Sequence, residues 1–211
     1  QLGLLGTCLG GLGIVWATNL YNFMDGIDGL AAGESTVAGG VGALLLMTTA
    51  PSLAWVAAVL AAASGGFLVW NWPPARLFMG DVGSGFIGFV FGVLAVAGER
   101  YSSMPALLWL VLLGPFVADA TITLLRRMAR GERWHAAHRS HAYQRAVQAG
   151  RSHRTVTLAM LALTVVSGMA AAIIERRPVL LLPVLLASIA LLAGAYVAVE
   201  RVHPMGGSVE N

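Results

Sequence analysis

Residues 53–70 read LAWVAAVLAAASGGFLVW, a run without a single charge. The hydrocarbon core of a bilayer is about 30 Å thick and takes about 20 apolar residues of helix to cross, so this stretch is predicted to be a transmembrane helix. Similar segments lie on either side, at roughly 1–18, 34–50, 82–98, 104–125, 155–174 and 179–199. The whole chain agrees: of 211 residues, 57% are hydrophobic and only 11% charged, with a mean hydropathy of +0.76, too apolar for a soluble domain of this length. The expected fold is all-α, a polytopic transmembrane helix bundle of about seven helices. It forms one integral membrane domain over 1–211 whose short connections leave no room for an extramembrane domain. Glycine-rich runs such as GGVGALLLM (39–47) permit close helix contact.

All 13 basic residues are arginine, against 10 acids, for a net charge of +3. Their placement reads as topology rather than as a nucleic-acid footprint. If the segments cross alternately, 19–33, 71–81, 126–154 and the C-terminus share one side. That side receives Arg76, Arg126, Arg127, Arg130, Arg133, Arg139, Arg145, Arg151, Arg154 and Arg201, and the other only Arg100, Arg176 and Arg177. The arginine-rich side is then cytoplasmic, and 126–154 is a cytoplasmic Arg/His-rich loop. Cys8, the single cysteine, has no partner for an internal disulfide. The opening QLGLLGTCLGGLGIVWA has no charged leader region and reads as a transmembrane helix entered partway, so an upstream part is expected.

Three polar clusters fall on that one side, as an enzyme working at the membrane surface requires. In NLYNFMDGIDGLA, the residues Asn19, Asn22, Asp25 and Asp28 recur every third position, a spacing that stacks side chains along one helical face. Two carboxylates and two amides suit a hard cation such as Mg²⁺; helix capping is the plainer alternative. In PPARLFMGDVGSGFIGF, Pro73 and Pro74 end one helix and Asp81 stands at the mouth of the next, followed by Gly83, Ser84 and Gly85. Free amides there receive phosphate, Asp81 holds a metal bridging its oxygens or caps the helix, and Ser84 caps or donates. Arg76 neutralises phosphate or anchors topology. The third cluster, RRMARGERWHAAHRSHAYQR, carries His135, His138, Arg139, His141 and Arg145. His-x-x-His-x-x-His spacing invites zinc, but interleaved arginines repel a cation and fit a diphosphate better. An amphipathic segment lying on anionic lipid is the competing reading.

Outside these clusters, Asp119 interrupts an apolar stretch, where a carboxylate is costly unless paired or lining a cavity. Glu34 is expected to begin a helix, and His153 and His203 to sit at the membrane interface.

Together the motifs NxxNxxDGxDGLA, FMGDxGS and the Arg/His loop resemble the polyprenyl-phosphate N-acetylhexosamine-1-phosphate transferase family, the membrane glycosyltransferases of family 4. The resemblance runs from about residue 15 to residue 150 by motif and continues by hydropathy. It implies about ten or eleven spans of about 20 residues each, with a magnesium site that accepts Mn²⁺ as a substitute. By motif match it implies Asp81 and Asn22 as metal-associated, Asp25 and Asp28 at the metal and nucleotide-sugar site, and Phe78 and Gly80 beside the nucleotide. Asn19 and Ser84 accompany them. His138, Arg139, His141 and Arg145 would serve the diphosphate and sugar, with His138 and His141 counted among the catalytic groups. HRSHAYQR (138–145) departs from the His-His-His loop of the peptidoglycan enzyme and looks more like the branch that starts O-antigen and related surface polysaccharides.

The implied reaction moves N-acetylhexosamine-1-phosphate from a UDP-N-acetylhexosamine to undecaprenyl phosphate, releasing UMP. It would take place at the cytoplasmic face of a bacterial inner membrane, without nucleic acid and with a homodimer as an allowed assembly. The family's early Asp-Asp motif has no counterpart here, since no two Asp residues are adjacent. The resemblance therefore implies that these residues alone are inactive. The alternatives are a membrane transporter or scaffold, supported by Asp119; the lipid I-forming phospho-N-acetylmuramoyl-pentapeptide transferase; and a metal-dependent hydrolase of a lipid diphosphate.

Overall fold

The computed structural model describes residues 3–101, 104–132 and 138–205, and every regular element among them is helical. The helices are α1 (Gly3–Met24), α2 (Leu30–Leu46), α3 (Pro51–Asn71), α4 (Gly80–Arg100), α5 (Ala106–Leu112), α6 (Gly114–Ala129), α7 (Ala142–Gln148), α8 (His153–Arg176) and α9 (Leu181–Val202), with a 3₁₀ turn at Pro178–Leu180. The stretch from Pro178 to Val202 counts as one span. With it, α1, α3, α4 and α8 are long and apolar enough to cross a membrane. This is a multi-pass membrane protein.

The segment expected as one helix over 104–125 is broken. Helices α5 and α6 meet at 85°, because Pro115 follows the junction at Gly114. Proline has no N–H to give to the turn before it, and its ring collides with that turn's carbonyl. Helix α7 is an addition too, since a short helix inside a polar loop leaves no hydropathy signal.

Helix α2 packs along α3, and α1 along α4. Small residues set the second approach: a Cβ at Gly88 would lie 2.4 Å from the Ala17 carbonyl oxygen, and one at Gly92 2.9 Å from the Ile14 Cα. Without a hydrophobic drive between helices in lipid, such close contact is what holds them. Tyr21 fills the centre, its ring 5.6 Å from Phe91 and 5.1 Å from Phe116, while Phe91 lies 5.8 Å from Trp109. Leucines and valines of α1, α3 and α9 cover the outside, as a lipid-facing surface requires.

Glu34 corrects its expected place. Helix α2 begins earlier, at Leu30, and Glu34 is fully buried, bonded by the Thr164 hydroxyl of α8. Beside it, the Ser35 and Ser64 hydroxyls bond across α2 and α3 at 2.8 Å. Buried polar groups in a membrane bundle persist when they are paired in this way.

Candidate active site

The connections α1–α2, α3–α4 and α6–α8 and the end of α9 gather at one end of the bundle, tied by bonds between residues far apart in sequence. Asp28 Oδ2 accepts from the Ala75 amide at 3.1 Å. Asn71 Oδ1 accepts from the Gly29 amide at 2.9 Å while its Nδ2 donates to the Leu77 carbonyl at 2.9 Å. The Tyr143 hydroxyl donates to the Phe23 carbonyl at 2.9 Å.

The four residues of the first motif do not share one helical face. Helix α1 ends at Met24 and Asp25–Gly29 form the turn into α2, with Gly29 at φ 77°, a left-handed conformation that glycine adopts freely. Asn19 is exposed and its amide bonds back to the Val15 carbonyl at 2.9 Å. Asn22 reaches α4, where the Ser84 hydroxyl donates to its Oδ1 at 3.1 Å. Asp25 lies within electrostatic reach of α4: burial and, after it, the negative charge of Asp81 push its carboxyl up to about 6. Asp28 turns away, its Oδ2 lying 3.3 Å from His153 Nδ1, while its carbonyl accepts from the Thr157 hydroxyl at 2.8 Å. The acidic pair of the sequence is thus divided: Asp25 feels the charge of Asp81, and Asp28 fastens one loop to another.

Asp81 is exposed in the first turn of α4, whose N-cap position is Met79. It does not serve as the cap. Gly80 opens the helix at φ 68°, and Phe78 and Arg76 are exposed on the loop before it. Among the described residues no three His, Cys, Asp or Glu side chains converge as a complete metal cage. The set present is Asp25, Asp81 and the Asn22 amide oxygen, which keeps a second lone pair beside its bond from Ser84. That donor set fits Mg²⁺, which binds through one or two carboxylates, keeps water, and shares its remaining positions with phosphate. Two carboxylates that press on each other gain most from a divalent cation between them.

In the Arg/His loop, His135 lies outside the described residues. His138 and His141 are neighbours, ring centroids 4.8 Å apart, with the Phe23 ring 6.5 Å and 6.2 Å away. His138 is partly exposed, and Ser140 Oγ lies 2.9 Å from its Nδ1. Burial, then His141 and Arg127, lower its titration to about 4, so at neutral pH it is an uncharged imidazole. His141 is buried at 3% exposure, and Arg139 is exposed.

Arg145 is 2% exposed. Its Nη1 donates to Glu200 Oε2 at 2.6 Å and to the His203 carbonyl at 2.7 Å, and its Nε to the Ser140 carbonyl at 3.2 Å. The structure therefore places it as a strut from the loop to the end of α9. Glu200 also takes both guanidinium nitrogens of Arg126, at 2.6 and 2.7 Å, and the Tyr196 ring lies under both arginines.

Sequence reasoning missed Asn71, Glu200 and the partnership of His153 with Asp28. Only Asn71 left a trace, an amide ending an apolar helix just before WPPAR. Asp119, the main support for a transporter, is committed to the first amides of α7.

An apolar bundle thus gathers an acidic and amide cluster at one end. Residues 1–99 match the family described as glycosyl transferase family 4, in agreement with the resemblance carried by the motifs. It is 30% identical over 184 residues to the "Probable undecaprenyl-phosphate N-acetylglucosaminyl 1-phosphate transferase" of Bacillus subtilis, covering 85% of this chain and 51% of that protein. It is 42% identical over 108 residues to the "Phospho-N-acetylmuramoyl-pentapeptide-transferase" of Moorella thermoacetica, covering 51% of this chain and 34% of that one. The Chlamydia muridarum protein of the latter name is 43% identical over 91 residues, 40% of this chain and 27% of its own length. The chain thus spans about half, or less, of the relatives it matches.

Proposed function

We propose that this chain carries the cytoplasmic site of an enzyme that transfers N-acetylhexosamine-1-phosphate from a UDP-sugar to undecaprenyl phosphate in a bacterial inner membrane, starting an envelope polysaccharide. The observation that carries the reading is the Ser84–Asn22 hydrogen bond that joins the first motif to the start of α4 at one end of an apolar bundle, with Asp25 within electrostatic reach of Asp81 there. A lipid tail can stay in the bilayer while its phosphate reaches that end. Similarity to the Bacillus protein extends over far more of the chain than similarity to the pentapeptide transferases, which favours an N-acetylglucosaminyl 1-phosphate donor and an Arg/His loop of the polysaccharide-initiating kind.

In this reaction an oxygen of the lipid phosphate attacks the phosphorus next to the sugar. The phosphoanhydride bond breaks, and UMP leaves with the bonding pair. The nucleophile is already ionised near neutral pH, so no strong base is required. Mg²⁺, held by Asp81 and Asp25 with Asn22, would supply positive charge against the phosphate oxygens. Ser84 fixes the Asn22 amide by its hydrogen bond. Asp28 and Asn71 hold the α3–α4 loop against the α1–α2 turn, which keeps Gly80 and Phe78 in place for the nucleotide. Arg139 and Arg76 are exposed, cations for the diphosphate. His138, uncharged, is a hydrogen-bonding group rather than an anion clamp.

The test offers the full gene product in nanodiscs a panel of UDP-N-acetylhexosamines with undecaprenyl phosphate and Mg²⁺, and reads the lipid product by mass spectrometry. One lipid diphosphate-sugar formed with stoichiometric UMP supports the reading. Release of phosphate from a lipid diphosphate without any nucleotide-sugar would replace it with hydrolysis.

A further inference from the structure

Asp119 lies on α6, and the proposed transfer does not use it. Its carboxylate is buried and heavily engaged: Oδ1 accepts from the Ala142 amide at 2.7 Å and the Thr123 hydroxyl at 3.1 Å, and Oδ2 from the Tyr143 amide at 3.0 Å. One further group faces it. His141 Nδ1 stands 3.5 Å from Oδ1, slightly beyond an ordinary hydrogen bond; this buried nitrogen makes no hydrogen bond of ordinary length, and the capping box of α7 turns the Gln144 backbone amide towards the same side chain.

A neutral imidazole carries one N–H and one lone pair, and its surroundings choose which nitrogen holds the hydrogen. A lone pair at Nδ1 would set two electron-rich groups against each other in a buried site, where water does not screen them. A hydrogen at Nδ1 is attracted instead. The ring cannot turn away easily, because Phe23 and Tyr143 lie against it in near-parallel fashion at 6.2 and 5.8 Å, with His138 beside it at 4.8 Å.

We propose that Asp119 is a positioning residue: it holds His141 in the Nδ1–H tautomer, with Nε2 bare, and through His141 it sets the orientation of His138 at the site. The same carboxylate fixes the first amides of α7, so the loop's fold and the state of its histidine pair depend on one side chain. The tautomer stands on geometry alone, and only its catalytic consequence rests on the phosphosugar-transfer reading.

The experiment labels the histidines with ¹⁵N and records long-range ¹H–¹⁵N spectra of the chain in nanodiscs at neutral pH, with His141→Gln to assign the signal. The expected wild-type result is a single His141 tautomer protonated at Nδ1. Protonation at Nε2 alone, or at both nitrogens, overturns the proposal, and the wild-type spectrum decides this even if every Asp119 variant fails to fold. In a folded Asp119→Asn variant the His141 signal should change to a mixture of tautomers, and an unchanged signal also overturns it. In the full gene product the same variant should lower kcat about tenfold while leaving the donor KM within about twofold. A wild-type protein that shows the tautomer but transfers no phosphosugar would overturn the transfer reading and leave the positioning role standing.

Discussion

The carboxylates at the working end fall into two groups that the fold treats in opposite ways. Asp119 and Glu200 are saturated by protein: three donors and a histidine meet the first, and two arginines and the Met205 amide meet the second. Asp81 stands exposed on the first turn of α4, and Asp25 faces it with like charge. A charge satisfied within the fold acts on a substrate only through the groups it holds. Charge kept near like charge is a standing demand for a cation or a substrate group from outside, so the two groups separate scaffold from chemistry.

The sharpest way to break that distinction is to neutralise one of the unpaired acids. Asp81→Asn in the full gene product should lower product formation by at least about 10³-fold, the scale on which charge stabilisation in a transition state is lost, with little change in thermal midpoint. Chelation of divalent metal should silence the wild type equally, and Mg²⁺ should restore it but not the variant. Retained activity in Asp81→Asn would place the reacting phosphates elsewhere.

Next in size is the seam between the two groups. A Cβ on Gly26 would stand 2.1 Å from the Tyr143 hydroxyl, whose bond to Phe23 joins the Arg/His loop to the metal-side turn. Gly26→Ala should cost about 10–100-fold in activity, as misplacement of a supporting element by about 1 Å does. Tyr143→Phe in the same chain should recover part of the loss, because it removes the colliding oxygen. A double variant no better than Gly26→Ala would show that the contact does not set the loop's position.

The open acids stood out in the sequence and the partners of the saturated ones did not, for a physical reason. Asp25 and Asp81 sit in short strings of glycine, amide and carboxylate that have few uses other than binding. Long apolar runs likewise announced the spans, though the Gly114–Pro115 break needed proline weighed against helix length. Glu200 and Asp119 are single acids in apolar or ordinary helical surroundings, and their meaning comes from partners that sequence distance hides: Arg126 and Arg145 lie 74 and 55 residues from Glu200. The same blindness made Arg145 look like a phosphate ligand. An arginine in a basic loop reads as available until the fold supplies its carboxylate.

Glu200→Gln tests the saturated side. It leaves the buried Arg145 guanidinium without its anion and weakens the bidentate pair with Arg126, which should destabilise the protein by about 1–3 kcal/mol and speed hydrogen exchange in α7. The effect on kcat should be smaller than that of Gly26→Ala. A large kcat loss without any stability loss would return Arg145 to the substrate.

The smallest effect concerns His138, which belongs to neither group because it is kept uncharged. Its titration in the fold, at about 4, lies below the ordinary histidine value of 6.5. Between those values the unfolded chain holds more protons than the folded one, so stability rises with pH through the window and is flat above it. Lowering pH from about 6.5 to 4 should therefore loosen the loop before the apolar bundle, seen as lower amide protection over 138–148 relative to the intrinsic exchange rate at each pH, and His138→Gln should remove that part of the pH dependence. Arg127 is one source of the shift, so Arg127→Gln should move the loosening towards lower pH, by less than burial itself contributes. If the loop loosens equally in His138→Gln, the neutral histidine takes no part in its acid sensitivity.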